Sequence, residues 1–264
     1  MPEIIGIETV MGDTVHKPLD LLYKPKIKSE SKLNEVQSQS FYVEEAYSEI
    51  KSKSELIEIY RNIWNEYLDK CKAENTQIKS STSTSKSFER FFKLGQKCLE
   101  NYWESYHPFN SDRTLGVELE IEVDLNNDGN YIMVGILDRL SKIGNATYNI
   151  IDYKTYVRLP GTKKISEMSK QLEIYEFAIR DMYPDAKRIN LIWYMLLHNE
   201  EVRITKNLDD PIDLEYLTRT KERVIKNIDE IKQLEESNEF EPRISKVCNW
   251  CEFKSICPAW KNKL

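Results

Sequence analysis

Gly135-Ile136-Leu137-Asp138-Arg139 and the downstream Ile150-Ile151-Asp152-Tyr153-Lys154-Thr155 decide how this 264-residue chain is read. In an extended strand alternate residues share a face, so Asp152 and Lys154 project together while Ile151 and Tyr153 point the other way. Gly144-Asn145 between the two stretches marks a turn. If that turn joins an antiparallel hairpin centred on Asn145, Asp138 falls opposite Asp152; a slip of one residue would break the alignment. Two carboxylates on adjacent strands form an oxygen-rich site suited to Mg²⁺ or Mn²⁺. Such a site, with a lysine beside it, is what metal-assisted phosphodiester hydrolysis needs. The bland alternative is a surface hairpin with ordinary charges, since Asp-x-Lys is common by chance.

Outward from this centre the periodicity changes several times. Val117–Leu125 alternates apolar and acidic residues and reads as a strand, with Glu118, Glu120 and Glu122 on one face opposite Val117, Leu119 and Ile121. Asn126–Asn130 is a turn cluster. Tyr131–Leu140 and Tyr148–Lys154 are expected strands. Met168, Leu172, Tyr175, Ile179 and Met182 follow at helical spacing in a helix over Ile165–Met182. Asn190–Leu197 is an apolar strand, paired across His198-Asn199 with Glu200–Ile204, and Asp213–Glu236 is a long charged helix. On the N-terminal side, residues 41–76 carry one or two amphipathic helices through Tyr42, Ala46, Ile50, Leu56, Tyr60 and Trp64. Ser80–Ser87 is expected to be a flexible loop, and Phe88–Tyr106 a helix with a broad apolar face.

Bulk composition bounds the function. A chain with 40% hydrophobic residues, 15 Tyr, 8 Phe and 5 Trp is globular. No stretch approaches the ~20 apolar residues of a membrane helix, and the start lacks a secretion signal, so a cytoplasmic location and no membrane partner are expected. The formal charge of -6 excludes whole-molecule attraction to nucleic acid, so any binding must come from a local basic groove or from metal ions.

The order Gly-x-x-Asp138-Arg, then Ile-Ile-Asp152-Tyr153-Lys154-Thr, then Gln171-Leu-Glu-Ile-Tyr175 resembles the PD-(D/E)XK nuclease superfamily. More narrowly, it resembles the RecB-type nuclease domain and the related CRISPR-adaptation nucleases. The resemblance implies an α/β fold: a central mixed β-sheet flanked by helices (a restriction-endonuclease-like core), with a helical N-terminal elaboration and a C-terminal cysteine cluster. It implies that Asp138 and Asp152 bind the cation and that Lys154 assists the attacking water. Gln171 and Tyr175, four apart on one helical face, would orient the lysine and the DNA backbone; Tyr175 is also placed to be core. The family's Gly-x-x-x-His signature is matched by Gly12 and His16, making His16 an expected metal ligand against the alternative of a surface histidine. Pro18 suggests that His16 sits at a helix start, because proline suits only the first turn. The Tyr153 carbonyl would complete the shell. Val117-Glu118 best matches a glutamate that the family often places early in this strand. Arg139, Lys154, Arg158, Lys163, Lys164 and Lys170 are candidates for phosphate contact. His107 and His198 lack such context.

Of the five cysteines, Cys248, Cys251 and Cys257 cluster near the C-terminus, which in an intracellular protein points to metal more than to disulfides. Followed by Pro258, they resemble the triplet with which RecB-type nucleases hold a [4Fe–4S] cluster. The family's fourth cysteine would precede Gly12, where this sequence has none. Three explanations stay open: a missing first segment, substitution by Cys71 or Cys98 (Cys71 being better placed), or a three-cysteine site for another metal or none.

The expected organisation is a mainly helical part over 1–110 that includes the Gly-x-x-x-His segment, a nuclease core over 111–240 and a cysteine segment over 241–264, in one compact unit. The expected function is metal-dependent DNA cleavage in recombination, repair or CRISPR adaptation, on DNA that is single-stranded or has free ends, with protein partners in such assemblies. A non-catalytic DNA-binding subunit and a nuclease acting on RNA are the alternatives.

Overall fold

In chain order the computed structural model runs β1 (Ile4–Gly6), α1 (Ile7–Ser31), α2 (Lys53–Ala73), β2 (Gln77–Lys79) and α3 (Thr84–Tyr106). The strands β3 (Arg113–Asp124), β4 (Ile132–Ile143) and β5 (Thr147–Lys154) follow. Then come α4 (Thr162–Met182), β6 (Arg188–Met195), β7 (Glu200–Asn207), α5 (Pro211–Ser237), two short 3₁₀ turns and α6 (Pro258–Lys261). The structure describes residues 4–31, 49–79, 84–249 and 251–261. Among them no helix is long and apolar enough to cross a membrane.

Five strands form one mixed sheet in the order β3-β4-β5-β6-β7. All neighbours are antiparallel except β5 and β6, which α4 joins by a crossover as a parallel pair requires. The two faces of the inner strands enter different cores. Ile151, Tyr153, Ile192 and Tyr194 pack with α1, α2 and α3. Tyr148, Ile150, Leu191, Trp193 and Met195 pack with Leu172, Ala178 and Ile179 of α4 and Val224 of α5. The molecule is therefore an α/β structure with a mixed sheet between two helical layers.

A polar row, buried at Ser141, Asn149 and Asn190 and exposed at Thr205, pins the sheet's register. Ser141, Asn149, Asn190 and Thr205 sit at paired positions on four consecutive strands. They are linked in turn by Asn149 Nδ2 to Ser141 Oγ (3.1 Å), Asn190 Nδ2 to Asn149 Oδ1 (2.7 Å) and Thr205 Oγ1 to Asn190 Oδ1 (2.9 Å). A slip of one residue in β4, β5 or β6 would leave the buried Ser141, Asn149 or Asn190 group unpaired.

The N-terminal part departs from the sequence reading. Helix α1 continues through both Pro18 and Pro25. Proline removes a backbone donor, yet burial of Val10, Val15, Leu19, Leu22 and Tyr23 outweighs that loss. His16 accordingly lies inside the helix and not at its start. α3 begins at Thr84, inside the stretch read as a loop; positions 80–83 of that stretch lie outside the described residues, as do Tyr42 and Ala46. Ser87 is buried on the same helix as Phe91, so the apolar face extends helix formation upstream. The short parallel pair β1–β2 has no signal in the periodicity. α2 and α3 approach closely at Gly95, where a Cβ would run into the Tyr60 hydroxyl.

Candidate active site

The β4–β5 register pairs Arg139 with Ile151 and Leu140 with Ile150, so Asp138 falls opposite Asp152. The β3–β4 register pairs Val117 with Arg139 and Leu119 with Leu137, so Glu118 falls opposite Asp138. Glu118, Asp138 and Asp152 thus stand in one row across three strands. At the row the β3–β4 ladder skips the Glu118–Asp138 pair, the β4–β5 ladder ends just before Asp138 and Asp152, and Glu118 has a left-handed φ of 45°. The face alternation resets there. Leu119 and Leu137 belong to the α4 core, whereas Val117 packs toward α1–α3 and the Arg139 guanidinium lies 4.2 Å from the Tyr23 ring centroid. Glu118 therefore does not share a regular face with Glu120 and Glu122, because its backbone breaks the pleat that the sequence reading assumed. Instead of a ladder bond, the Tyr153 backbone N–H donates to Asp138 Oδ2 at 2.7 Å.

α1 delivers His16 to this break. One ring nitrogen, Nε2, is 3.0 Å from the Tyr153 carbonyl oxygen, and Nδ1 is 3.6 Å from Asp138 Oδ2. With Nε2–H donating to the carbonyl, the Nδ1 lone pair faces a carboxylate. Two acceptors facing one another invite a cation between them, and a ligating histidine typically donates its other N–H to such a carbonyl. His16, Glu118 and Asp138 offer ligand atoms that all lie within 4.8 Å of one another. Helix α1 passes the end of β5 closely enough that a Cβ at Gly12 would sit 3.7 Å from Thr155 Oγ1.

Electrostatics of the row reflect crowded acids in a poorly solvated place. Burial pushes Asp138 and Asp152 up to about 6, with the neighbouring Asp138 charge adding to the shift at Asp152. Asp20, one turn beyond His16 and only 4% exposed, is pushed up to about 8 by burial and by Glu118. Glu118 is raised by burial and by Asp138, and burial holds His16 below its ordinary value. Lys154 Nζ is 2.6 Å from Asp152 Oδ2. Burial works to lower the lysine, but the Asp152 and Asp138 carboxylates outweigh it and keep Lys154 above its usual range. Four acids, one imidazole and one ammonium leave a surplus of negative charge, and this donor set fits a hard divalent cation.

Gln171 Nε2 on α4 donates to the Tyr175 hydroxyl at 3.0 Å. The Tyr175 ring rests on the backbone of Gly135, where a Cβ would lie 2.5 Å from Cε1. The glycine three residues before Asp138 is thus explained by the close approach of α4. Among the described residues neither Gln171 nor Tyr175 hydrogen-bonds Lys154; their recorded bond is to each other.

Arg139 is no phosphate ligand. It is 2% exposed, paired with Asp112 (2.8 Å) and bonded to Thr114 Oγ1 (3.0 Å), with its charge satisfied internally. Arg158, Lys163, Lys164 and Lys170 are exposed. His198 approaches the Tyr156 carbonyl at 3.1 Å and His107 stacks on Trp103. Sequence reasoning missed Asp20, although its i+4 spacing from His16 places both on one helical face. It also missed Asp112, which nothing local marks.

The cysteines do not assemble. Among the described residues no cysteine belongs to a group of three metal-ligating side chains within 4.8 Å. Cys248, Cys251 and Cys257 are partly or fully exposed free thiols, while Cys71 and Cys98 are buried. The donor set for a four-thiolate cluster is therefore not gathered.

The family model for the PD-(D/E)XK nuclease superfamily matches residues 2–258, and the chain belongs to that superfamily. No curated protein matches the chain in sequence. The crystal structure of SSO0001 is similar over 96% of each chain, at 17% identity and a TM-score of 0.32.

Proposed function

We propose that this member of the PD-(D/E)XK nuclease superfamily is a metal-dependent deoxyribonuclease whose active centre is the interrupted row Glu118–Asp138–Asp152 with Lys154 and His16. The single observation carrying this proposal is the coincidence of three features in one place. The β3–β4 ladder skips a pair at the row where the β4–β5 ladder ends, a non-glycine residue there holds φ 45°, and an ammonium stands 2.6 Å from one of the buried carboxylates. Strain and buried like charges of this kind persist where function requires them.

Asp138, Glu118 and His16 would hold the Mg²⁺ or Mn²⁺, with Asp152 and the Tyr153 carbonyl beside them. A bound divalent cation supplies Lewis-acid polarisation of the phosphoryl oxygen and a lowered pKa for an attacking water. The protein's own groups prepare that chemistry. The Tyr153 N–H fixes the Asp138 carboxylate, and the Tyr153 carbonyl orients the His16 ring. The protonated Lys154, held by Asp152, donates toward charge that develops on the phosphoryl group. Gln171 and Tyr175 act through packing on Gly135 to keep β4 in place.

The helical part, 1–110, supplies His16 and the core, 111–240, supplies the row, so the two operate as one unit. The resemblance to RecB-type domains supports a role in DNA recombination, repair or CRISPR adaptation, on strands that are single or have free ends. A cluster at Cys248, Cys251 and Cys257 would need the thiols to close around it and a fourth ligand, so no reaction step is assigned to them. The test is cleavage of labelled single-stranded DNA, duplex DNA and RNA with Mg²⁺ or Mn²⁺, beside EDTA and Lys154→Ala controls. Metal-dependent DNA cutting lost in the variant is expected. Cutting of RNA alone would move the substrate class, and chelator-insensitive binding without any product would favour a DNA-binding subunit.

A further inference from the structure

A cavity of about 890 Å³ opens where α1, the 107–112 loop, the start of β3 and the β4–β5 turn meet. Three cations from three elements line it: Lys26, whose ammonium already donates to the Pro108 and Phe109 carbonyls, Arg113 and Lys142. Its one lining carboxylate, Asp112, is already consumed. Arg139 approaches it at 2.8 and 3.2 Å, and Ser141 Oγ donates to it at 2.8 Å. Lys142 uses two of its three ammonium donors on Asp185 and the Tyr148 hydroxyl, each at 2.7 Å, so it is held in place with one donor left for a ligand. Counting Arg139, Asp185 and the Glu49 that acts on Lys26 with the wall, four cations meet three carboxylates, a net positive site in a chain of formal charge -6. Asn110, Ser111 and Asn145 add neutral hydrogen-bonding groups. The volume is that of a nucleotide-sized ligand, larger than a lone anion needs.

The cavity's distance from the row can be measured along two elements. From Asp138 to Lys142 on β4 is ~13 Å at ~3.3 Å per residue. From His16 to Lys26 on α1 is ~15 Å at ~1.5 Å per residue. Phosphates along one strand are spaced more widely than the ~3.4 Å axial rise per nucleotide, so the interval spans about two to three nucleotides.

We infer that this cavity is a phosphate-binding subsite for the nucleic-acid strand being cut, engaging a phosphate group about two to three nucleotides from the scissile bond. This rests on the nuclease function proposed above, but strand binding by the cavity can be measured without cleavage. The phosphate is either a terminal monoester or an internal diester of the strand; both present the same oxygens to Lys142, Arg113 and Lys26.

The experiment is fluorescence anisotropy in EDTA with 5′-phosphorylated and 5′-hydroxyl oligonucleotides over a salt series. It compares the wild-type chain, Arg113→Gln/Lys142→Gln and Asn145→Glu, with metal-dependent cleavage measured in parallel. Asn145 is exposed in the turn, so Asn145→Glu places a negative charge at the cavity without removing a recorded contact. Both variants are expected to bind about tenfold more weakly, and the double variant to lose about one to two units of salt slope. At saturating oligonucleotide, kcat is expected to stay near wild type. A loss confined to the 5′-phosphorylated oligonucleotide identifies the strand end as the ligand; equal losses identify an internal phosphate. Unchanged affinity and salt slope in both variants would overturn the subsite, even if the wild type cleaves normally. Weakened binding in the variants beside a wild type that never cleaves would leave the subsite standing and remove the nuclease function instead.

Discussion

The Asp138 carboxylate accepts the backbone N–H of Tyr153 at 2.7 Å, while the Tyr153 carbonyl faces His16 at 3.0 Å. One peptide neighbourhood therefore orients two side chains that are 122 positions apart in the sequence. This coupling makes the row sensitive to small changes, and several consequences can be measured.

Lys154 lies outside the group of ligand atoms that includes His16, Glu118 and Asp138. Lys154→Ala is expected to lower kcat by about 10²–10³-fold while preserving the thermal shift produced by Mn²⁺. Asp138→Asn should lose both. Equal loss of the Mn²⁺ shift in the two variants would place the lysine in metal binding instead.

Glu118 holds its left-handed φ of 45° at a conformational penalty of about 1–3 kcal/mol, which glycine does not pay. Glu118→Gly is therefore expected to melt at a higher temperature than Glu118→Gln, although both lose cleavage. A Glu118→Gly protein less stable than Glu118→Gln would show that the backbone break is not strained.

Gly135→Ala forces a methyl group against the Tyr175 ring, at 2.5 Å before relaxation. Overpacking at this position is expected to destabilise the fold by about 1–3 kcal/mol in chemical denaturation, with reduced cleavage because β4 carries Asp138. Gly161→Ala, with no atom within 4 Å of its added Cβ, is the control and should be close to neutral.

Asp138 and Asp152 at about 6, and Asp20 at about 8, hold protons in the folded metal-free protein that the unfolded chain has already released. With unfolded carboxyls near ~3.9, stability falls as pH rises between about 4 and 8. EDTA-treated protein should melt higher at about pH 5 than at about pH 8, and Mn²⁺ should stabilise it more at the higher pH. Melting temperatures rising with pH in EDTA would contradict the assignment of buried, proton-holding acids.

Burial pushes the Cys98 thiol up to about 12, and Cys71 is also buried, whereas Cys248, Cys251 and Cys257 are partly or fully exposed. A thiol reagent added to metal-stripped native protein should titrate three cysteines quickly and the other two only on unfolding. Fast reaction of all five would mean that the helical core opens readily.

Much of this was legible in the amino-acid order. Alternation in Tyr148–Lys154 and the Gly144-Asn145 turn placed Asp138 opposite Asp152 because a hairpin's register follows from its own turn, and the structure keeps that register. The helical face carrying Gln171 and Tyr175 was equally local. What only the tertiary structure decided is non-local. α1 runs unbroken through Pro18 because packing against α2, α3 and the sheet outweighs proline's local penalty. Glu118 leaves its expected face because two strands reset their pleat at a shared row, and Arg139 turns inward to Asp112 for the same reason. Periodicity reports which face a residue prefers when its strand is regular. It carries no information about where packing from distant segments makes the strand irregular, and in this protein that place is the row of acids.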